Sequence, residues 1–236
     1  MYNTQAIATF GAIRQQERIS HIIANNLSNV QTVGFKKDVP LFRSFLAEAQ
    51  EGRMESPEDS IRTVFDQGPL YRTQHALDVA IEGEGFFKVK VGDEIRYTRG
   101  GNFRLDREGR LLDSGGRPIL GQNREITLRG NRIAIGQDGT IHVDGNVVAK
   151  IDLVTFLNLT QLRKEGHNLY VALNPGDERP AERSTILQYH LENSNVNPVE
   201  EMINLMDSHR AFESCIKMIQ ANDALDGRAV NEIGKV

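Results

Sequence analysis

Phe87, Val89 and Val91 alternate with Lys88 and Lys90, the period of two that turns one side of a strand to a core and the other to solvent. Gly92-Asp93 closes that run. Farther on, Ile133 and Ile135, Asp138-Gly139, Ile141 and Val143, Asp144-Gly145-Asn146 and Val147 follow in order. They read as two successive hairpins, because Asp-Gly tolerates the positive φ of a tight turn. Thirteen of the 21 glycines fall between Gly83 and Gly145, and none between Asp177 and Asp226. A turn-rich middle therefore precedes a helical end, and the pattern predicts an antiparallel β domain over residues 76–188.

In the C-terminal segment the period changes. Asn197-Pro198-Val199-Glu200 supplies an N-cap, a proline suited to the first helical position and a glutamate able to reach back. Met202, Leu205, His209, Phe212, Ile216 and Ile219 then recur at the 3-4-3-4-3 spacing of a heptad seam. A helix over 198–223 is ~39 Å long at ~1.5 Å per residue, too long for a small β domain to hide. Near the N-terminus, Ala12, Ile19, Ile22, Ile23 and Leu27 share one side while Arg14, Gln15, Glu17 and Arg18 lie mostly elsewhere. That predicts a second helix, with Gly34 as its stop. The acidic stretch AEAQEGRMESPEDS at 47–60 is an expected exposed connector.

The expected architecture is α+β: an N-terminal assembly helix over 1–34, an extended connector over 35–75, a central antiparallel all-β domain over 76–188 and a C-terminal assembly helix over 189–236. Both helical stripes need partners. The simplest solution is a coiled-coil-like pairing of the two ends with each other and with neighbouring subunits.

Composition narrows the functions. The 236-residue chain carries a formal charge of −4, so it lacks the basic footprint that nucleic acid requires. Its single cysteine, Cys215, excludes an intrachain disulfide and any multi-cysteine metal site. The opening residues MYNTQAIATFGAIRQQER lack the basic and apolar regions of a cleaved secretion signal, and no window approaches the ~20 apolar residues of a membrane span. Neither a leader nor membrane insertion is expected.

Candidate chemistry is sparse. Gly83-Glu84-Gly85-Phe86-Phe87 is a fragment of a phosphate loop that leads into a strand, and reads better as a turn. Asp138-Gly139 and Asp144-Gly145 lack the array of a calcium loop. His21, His75, His142, His167, His190 and His209 form no H-x-x-x-H pair. No Gly-x-Ser-x-Gly elbow is present, and Asp106, Glu108, Asp138 and Asp144 read as solvated turn acids. No catalytic residue, metal site or cofactor is expected. Asn25 and Asn26 stand out, since buried amides late in an apolar stripe need partners. They read either as a helix end bonding free backbone groups or as a polar device that sets helix register, the former favoured from the residues alone.

Residues 24–36, ANNLSNVQTVGFK, resemble the N-terminal signature of the flagellar axial proteins, the family of rod, hook and hook-associated subunits. The resemblance continues in order. It runs through LDVAI at 77–81, GEGFFKV at 83–89, YTRGGNFRLDREGRLLDSGGRPILG at 97–121, IGQDGTIHVDG at 135–145, GHNLY at 166–170 and LENSNVNPVEEMINLMDSHRAFE at 191–213. Ser28 and Gln31 depart mildly from the usual pattern. Within the family the short connector after Phe35 and the tail ALDGRAVNEIGKV favour the proximal rod type, with the distal rod or hook type as the alternative. The resemblance implies a structural subunit of the basal-body rod without catalysis. It implies export by the flagellar type III apparatus without a cleaved signal, and assembly with other rod subunits in a shaft crossing the periplasm. The assembly residues it points to are Ile19, Ile22, Ile23, Asn25, Asn26 and Leu27, with Met202, Leu205, His209, Phe212, Ile216 and Ile219. A secreted cell-wall hydrolase and an adaptor for axial proteins are the competing classes.

Overall fold

A computed structural model describes residues 2–41 and 61–233. The acidic stretch 47–60 lies outside the described residues. Two helices, α1 (Tyr2–Ser28) and α2 (Pro198–Ile233), flank a mostly antiparallel β region in sequence, so the fold is α+β. The chain divides into a helical unit, residues 1–28, 38–61 and 197–236, and a β unit, residues 29–37 and 62–196.

The β unit is built on a six-stranded antiparallel sheet. Its spatial order is Leu162–Gly166, Leu169–Ala172, Glu94–Thr98, Phe86–Val91, Leu153–Phe156 and Glu178–Pro180. Phe86–Val91 is paired on both edges, and its first four residues, which alternate between the two faces, are all buried. Phe87 and Val89 enter a core with Val79, Ile81, Phe103, Leu111, Ile119 and Ile141. Phe86 points the other way, into a cluster with Tyr97, Phe156 and Tyr170 whose rings meet edge to face. Lys88, expected on a polar side, is also buried. Its ammonium is held 2.9 Å from both Glu178 Oε1 and Asn123 Oδ1.

The two hairpins form a three-stranded sheet of Ile133–Ile135, Thr140–Val143 and Asn146–Lys150. Asp144 and Gly145 take φ of 51° and 89°, the double positive φ of a type I′ turn.

Three expected boundaries change. α1 stops at Ser28 rather than continuing to Gly34, and residues 29–37 belong to the β unit. Ile61–Thr63 and Leu70–Arg72, placed in the connector, are strands. His190–Glu192, placed in the C-terminal helix, is a strand paired with Leu70–Arg72. Three-residue strands leave no readable period, and their pairing comes from residues far away in sequence. At the other end α2 runs to Ile233, within the expected 236, and its 36 residues make a rod ~54 Å long at ~1.5 Å per residue.

Candidate functional site

The helical unit starts from its cap. Asn197 Oδ1 accepts hydrogen bonds from the amides of Val199 at 3.1 Å and Glu200 at 3.4 Å, so α2 opens at Pro198. α2 then runs antiparallel to α1, since Glu201 lies by Asn26 and Ser208 by Gln16 and Ser20. Ile22 and Ile23 are buried, and Leu205, Phe212, Ile216 and Ile219 are half-buried.

The seam of α2 is rotated from the one its apolar residues suggest. Met202 is 53% exposed and His209 is exposed, whereas Glu201 and Ser208 are buried. The inward row is Glu201, Leu205, Ser208, Phe212, Cys215 and Ile219, in which Glu201 and Ser208 are buried and the other four half-buried. Polar groups hold those positions because they bond across the pair. Ser208 Oγ lies 2.7 Å from Ser20 Oγ, and Gln16 Nε2 donates to the Ser208 carbonyl at 2.9 Å. Glu201 Oε2 accepts from Asn26 Nδ2 at 3.3 Å.

Of the two asparagines, Asn25 is exposed and Asn26 is 1% exposed. The Asn26 amide donates to the Asp38 carbonyl at 2.8 Å and accepts from the Asp38 amide at 2.9 Å. It thus pairs with a returning backbone as one strand pairs with another, while also reaching α2. Ile19 and Leu27 are half-buried.

A second face of α2 stays open. Val199, Met202, Ile203 and Met206 are 53–63% exposed, and their i, i+3, i+4, i+7 spacing puts them in one row. At ~100° per residue that row lies ~150° around the helix from the buried one. An α2 with two apolar rows has one more than α1 covers.

The β unit holds a separate polar centre, absent from the sequence reading. Lys36 Nζ lies 2.6 Å from Glu192 Oε1, and Arg99 Nε lies 2.6 Å from Glu192 Oε2. Lys36 and Glu192 are 1% exposed and Arg99 is 4%. The remaining donors find backbone oxygens. Lys36 Nζ reaches the Asp66 carbonyl at 2.7 Å, and Arg99 bonds the carbonyls of Gly85, Gly83 and Ile81. Glu192 Oε1 also accepts from the Gly68 amide at 2.9 Å, and the Glu192 carbonyl accepts from the Gly34 amide at 2.7 Å. Burial pulls the Lys36 ammonium below the ordinary lysine range, with the Glu192 carboxylate pulling the other way.

This centre explains Gly34. Its φ is +67°, and a Cβ there would lie 2.5 Å from the carbonyl carbon and oxygen of Arg99. The glycine is required by close approach of two backbones, not by the end of α1. It also accounts for the Gly83-Glu84-Gly85 turn, two of whose carbonyls, those of Gly83 and Gly85, accept from the Arg99 guanidinium. Lys36 and Arg99 sit beside glycine and apolar residues, in VGFK and YTRGG, whereas Glu192 sits in the polar run LENSN, so no shared pattern marks the three.

The turn acids accept hydrogen bonds from backbone amides. Asp106 accepts from the amides of Glu108 and Arg110, Asp138 from Thr140, and Asp144 from Arg132. Among the described residues no three His, Cys, Asp or Glu side chains are grouped to hold a metal ion, and no described helix is long and apolar enough to cross a membrane.

Comparison with known proteins bears on this arrangement. The profile of the flagellar basal body rod FlgEFG protein C-terminal region matches residues 187–232, and that of the flagellar hook protein FlgE/F/G D1 domain matches residues 80–143. The flagellar basal-body rod protein FlgF of Caulobacter vibrioides is 35% identical over 224 residues, covering 91% of each chain. FlgG of Buchnera aphidicola subsp. Schizaphis graminum is 34% identical over 87% of this chain and 90% of its own. FlgG of Bacillus subtilis is 31% identical over 89% and 91%.

Proposed function

The chain belongs to the flagellar basal-body rod proteins, and from that premise we propose that it is a structural subunit of the proximal rod, polymerising through its terminal helices into the torque-transmitting shaft. The observation that carries the mechanism is the second apolar row of α2, Val199, Met202, Ile203 and Met206. α1 and α2 satisfy each other along a polar and apolar seam, and the open row is the surface for an axial neighbour. Repeated around a shaft, such contacts give coiled-coil-like packing and stiffness. Ile19, Ile22, Ile23, Asn26, Leu27, Leu205, Phe212, Ile216 and Ile219 then hold the pair itself, and Met202 faces the neighbour.

On this reading the protein performs no catalysis. It passes through the flagellar type III export apparatus without a cleaved signal and takes its place where the rod crosses the periplasm. Relatives named FlgF and FlgG match with 35% and 34% identity, a difference too small to choose between rod positions. The short connector after Phe35 and the tail at 224–236 favour the proximal one. Isolation of basal bodies tests the function: the chain should be an integral component that resists high-salt washing. A chain that stays in the soluble fraction would support an adaptor role instead.

A further inference from the structure

The polar centre of the β unit gathers three regions that are far apart in sequence. Lys36 comes from the segment 29–37, Arg99 from the end of the strand Glu94–Thr98, and Glu192 from residues that directly precede α2. The centre holds two cations and one carboxylate. Without Glu192, Lys36 and Arg99 would be two like charges side by side in a desolvated site, the situation buried charge tolerates least. Glu192 contributes more than charge. Its carboxylate takes the Gly68 amide and its carbonyl takes the Gly34 amide. Nearby, Asn195 takes the Lys37 amide at 2.7 Å and donates to the Val64 carbonyl at 2.9 Å. Residues 190–196 thus stitch the segment 29–37 to the rest of the unit.

We propose that Glu192 is the closing latch of the β unit: the convergence of Lys36, Arg99, Gly34 and Gly68 on this one residue prevents the unit from completing its fold until residues 190–196 have joined it. Every N-terminal piece of the chain that reaches Arg99 and ends before Glu192 carries the two cations without their anion. Because synthesis delivers the chain N-terminus first, the latch postpones β folding until nearly the whole chain has been made. Local strands form earlier. The closed unit does not.

Urea unfolding of the purified full-length chain, followed by tyrosine fluorescence, tests the latch without reference to the rod. Glu192→Gln keeps shape and removes charge, and it should raise the unfolded-to-folded ratio by about a hundredfold or more, the order expected when one partner of a buried pair is lost. Adding Lys36→Met to it removes one stranded cation and should recover about tenfold of that loss, although two native groups are then missing. An exposed control, Glu182→Gln, should be silent. The latch is contradicted if Glu192→Gln unfolds within twofold of the wild type, or if the double variant is no more folded than Glu192→Gln alone, including the case in which neither folds. The rod reading fails separately, by absence of the chain from basal bodies.

Discussion

The Lys36 ammonium and the Glu192 carboxylate, 156 residues apart in sequence, meet at 2.6 Å with almost no exposure of either. The pair is unequal, because Arg99 bonds the other carboxylate oxygen. Removing Lys36 leaves a balanced Arg99–Glu192 pair, and removing Glu192 leaves two cations. Lys36→Met should therefore destabilise the β unit less than Glu192→Gln, whose cost is expected at about 3–5 kcal/mol. Chemical unfolding of the two single variants gives the order, and the reverse order would contradict this description of the centre.

Gly34→Ala should destabilise the same unit by about 2 kcal/mol or more. Left-handed backbone costs about 1–2 kcal/mol for a residue with a Cβ, and the added atom would meet the Arg99 backbone rather than a side chain able to move. The helical unit should keep its helix content, so circular dichroism at 222 nm and β-unit unfolding should separate. An unchanged urea midpoint would show that the two backbones have room to part.

Asn25 and Asn26 should respond very differently. Asn26→Ala strips three hydrogen bonds from a buried site and leaves the Asp38 amide and carbonyl without it, an expected loss of about 2–3 kcal/mol. Asn25→Ala acts at an exposed position and should change stability by about 0.5 kcal/mol or less. Thermal unfolding of both variants checks the contrast, and equal effects would mean that the Asn26 bonds to Asp38 and Glu201 do not contribute to stability.

How much of this was legible in the sequence depended on how local each feature is. The Asp144-Gly145 hairpin and the Asn197-Pro198 helix start were readable, because a positive φ and a cap are demands met by one or two adjacent residues. The seam of α2 was readable only in part. Apolar spacing selected Met202 and His209, whereas Glu201 and Ser208 occupy the seam through bonds to Asn26, Gln16 and Ser20 that no single helix displays. The charged centre was invisible for the same reason: Lys36, Arg99 and Glu192 have nothing in common until the strands bring them together.

Alkaline pH should loosen the β unit through Tyr97. Burial first, then its 2.7 Å hydrogen bond to Glu178 and that carboxylate's charge, hold the phenol protonated well above its ordinary 10.0. Above about pH 10 the unfolded chain releases this proton while the folded chain keeps it, so stability present below that pH is lost as it rises. Urea midpoints from about pH 8 to about pH 11 should fall more steeply for the wild type than for Tyr97→Phe, which has no proton to hold. Parallel curves would mean that Tyr97 does not report on folding.

The claim that α2 uses its open row to join the rod is tested most directly at Met206, which is 56% exposed and lies away from α1. The measurement is the amount of Met206→Asp protein in basal bodies isolated from cells that have no other copy. A charge at an exposed helical position should leave the purified chain's thermal unfolding unchanged within the usual ±0.5 kcal/mol of surface substitutions. Buried against a neighbour, the same unpaired carboxylate would be costly at every subunit. Normal export, no Met206→Asp protein in the basal bodies and cells that do not swim are the expected results. Basal bodies containing the variant at wild-type level, in cells that swim normally, would contradict it.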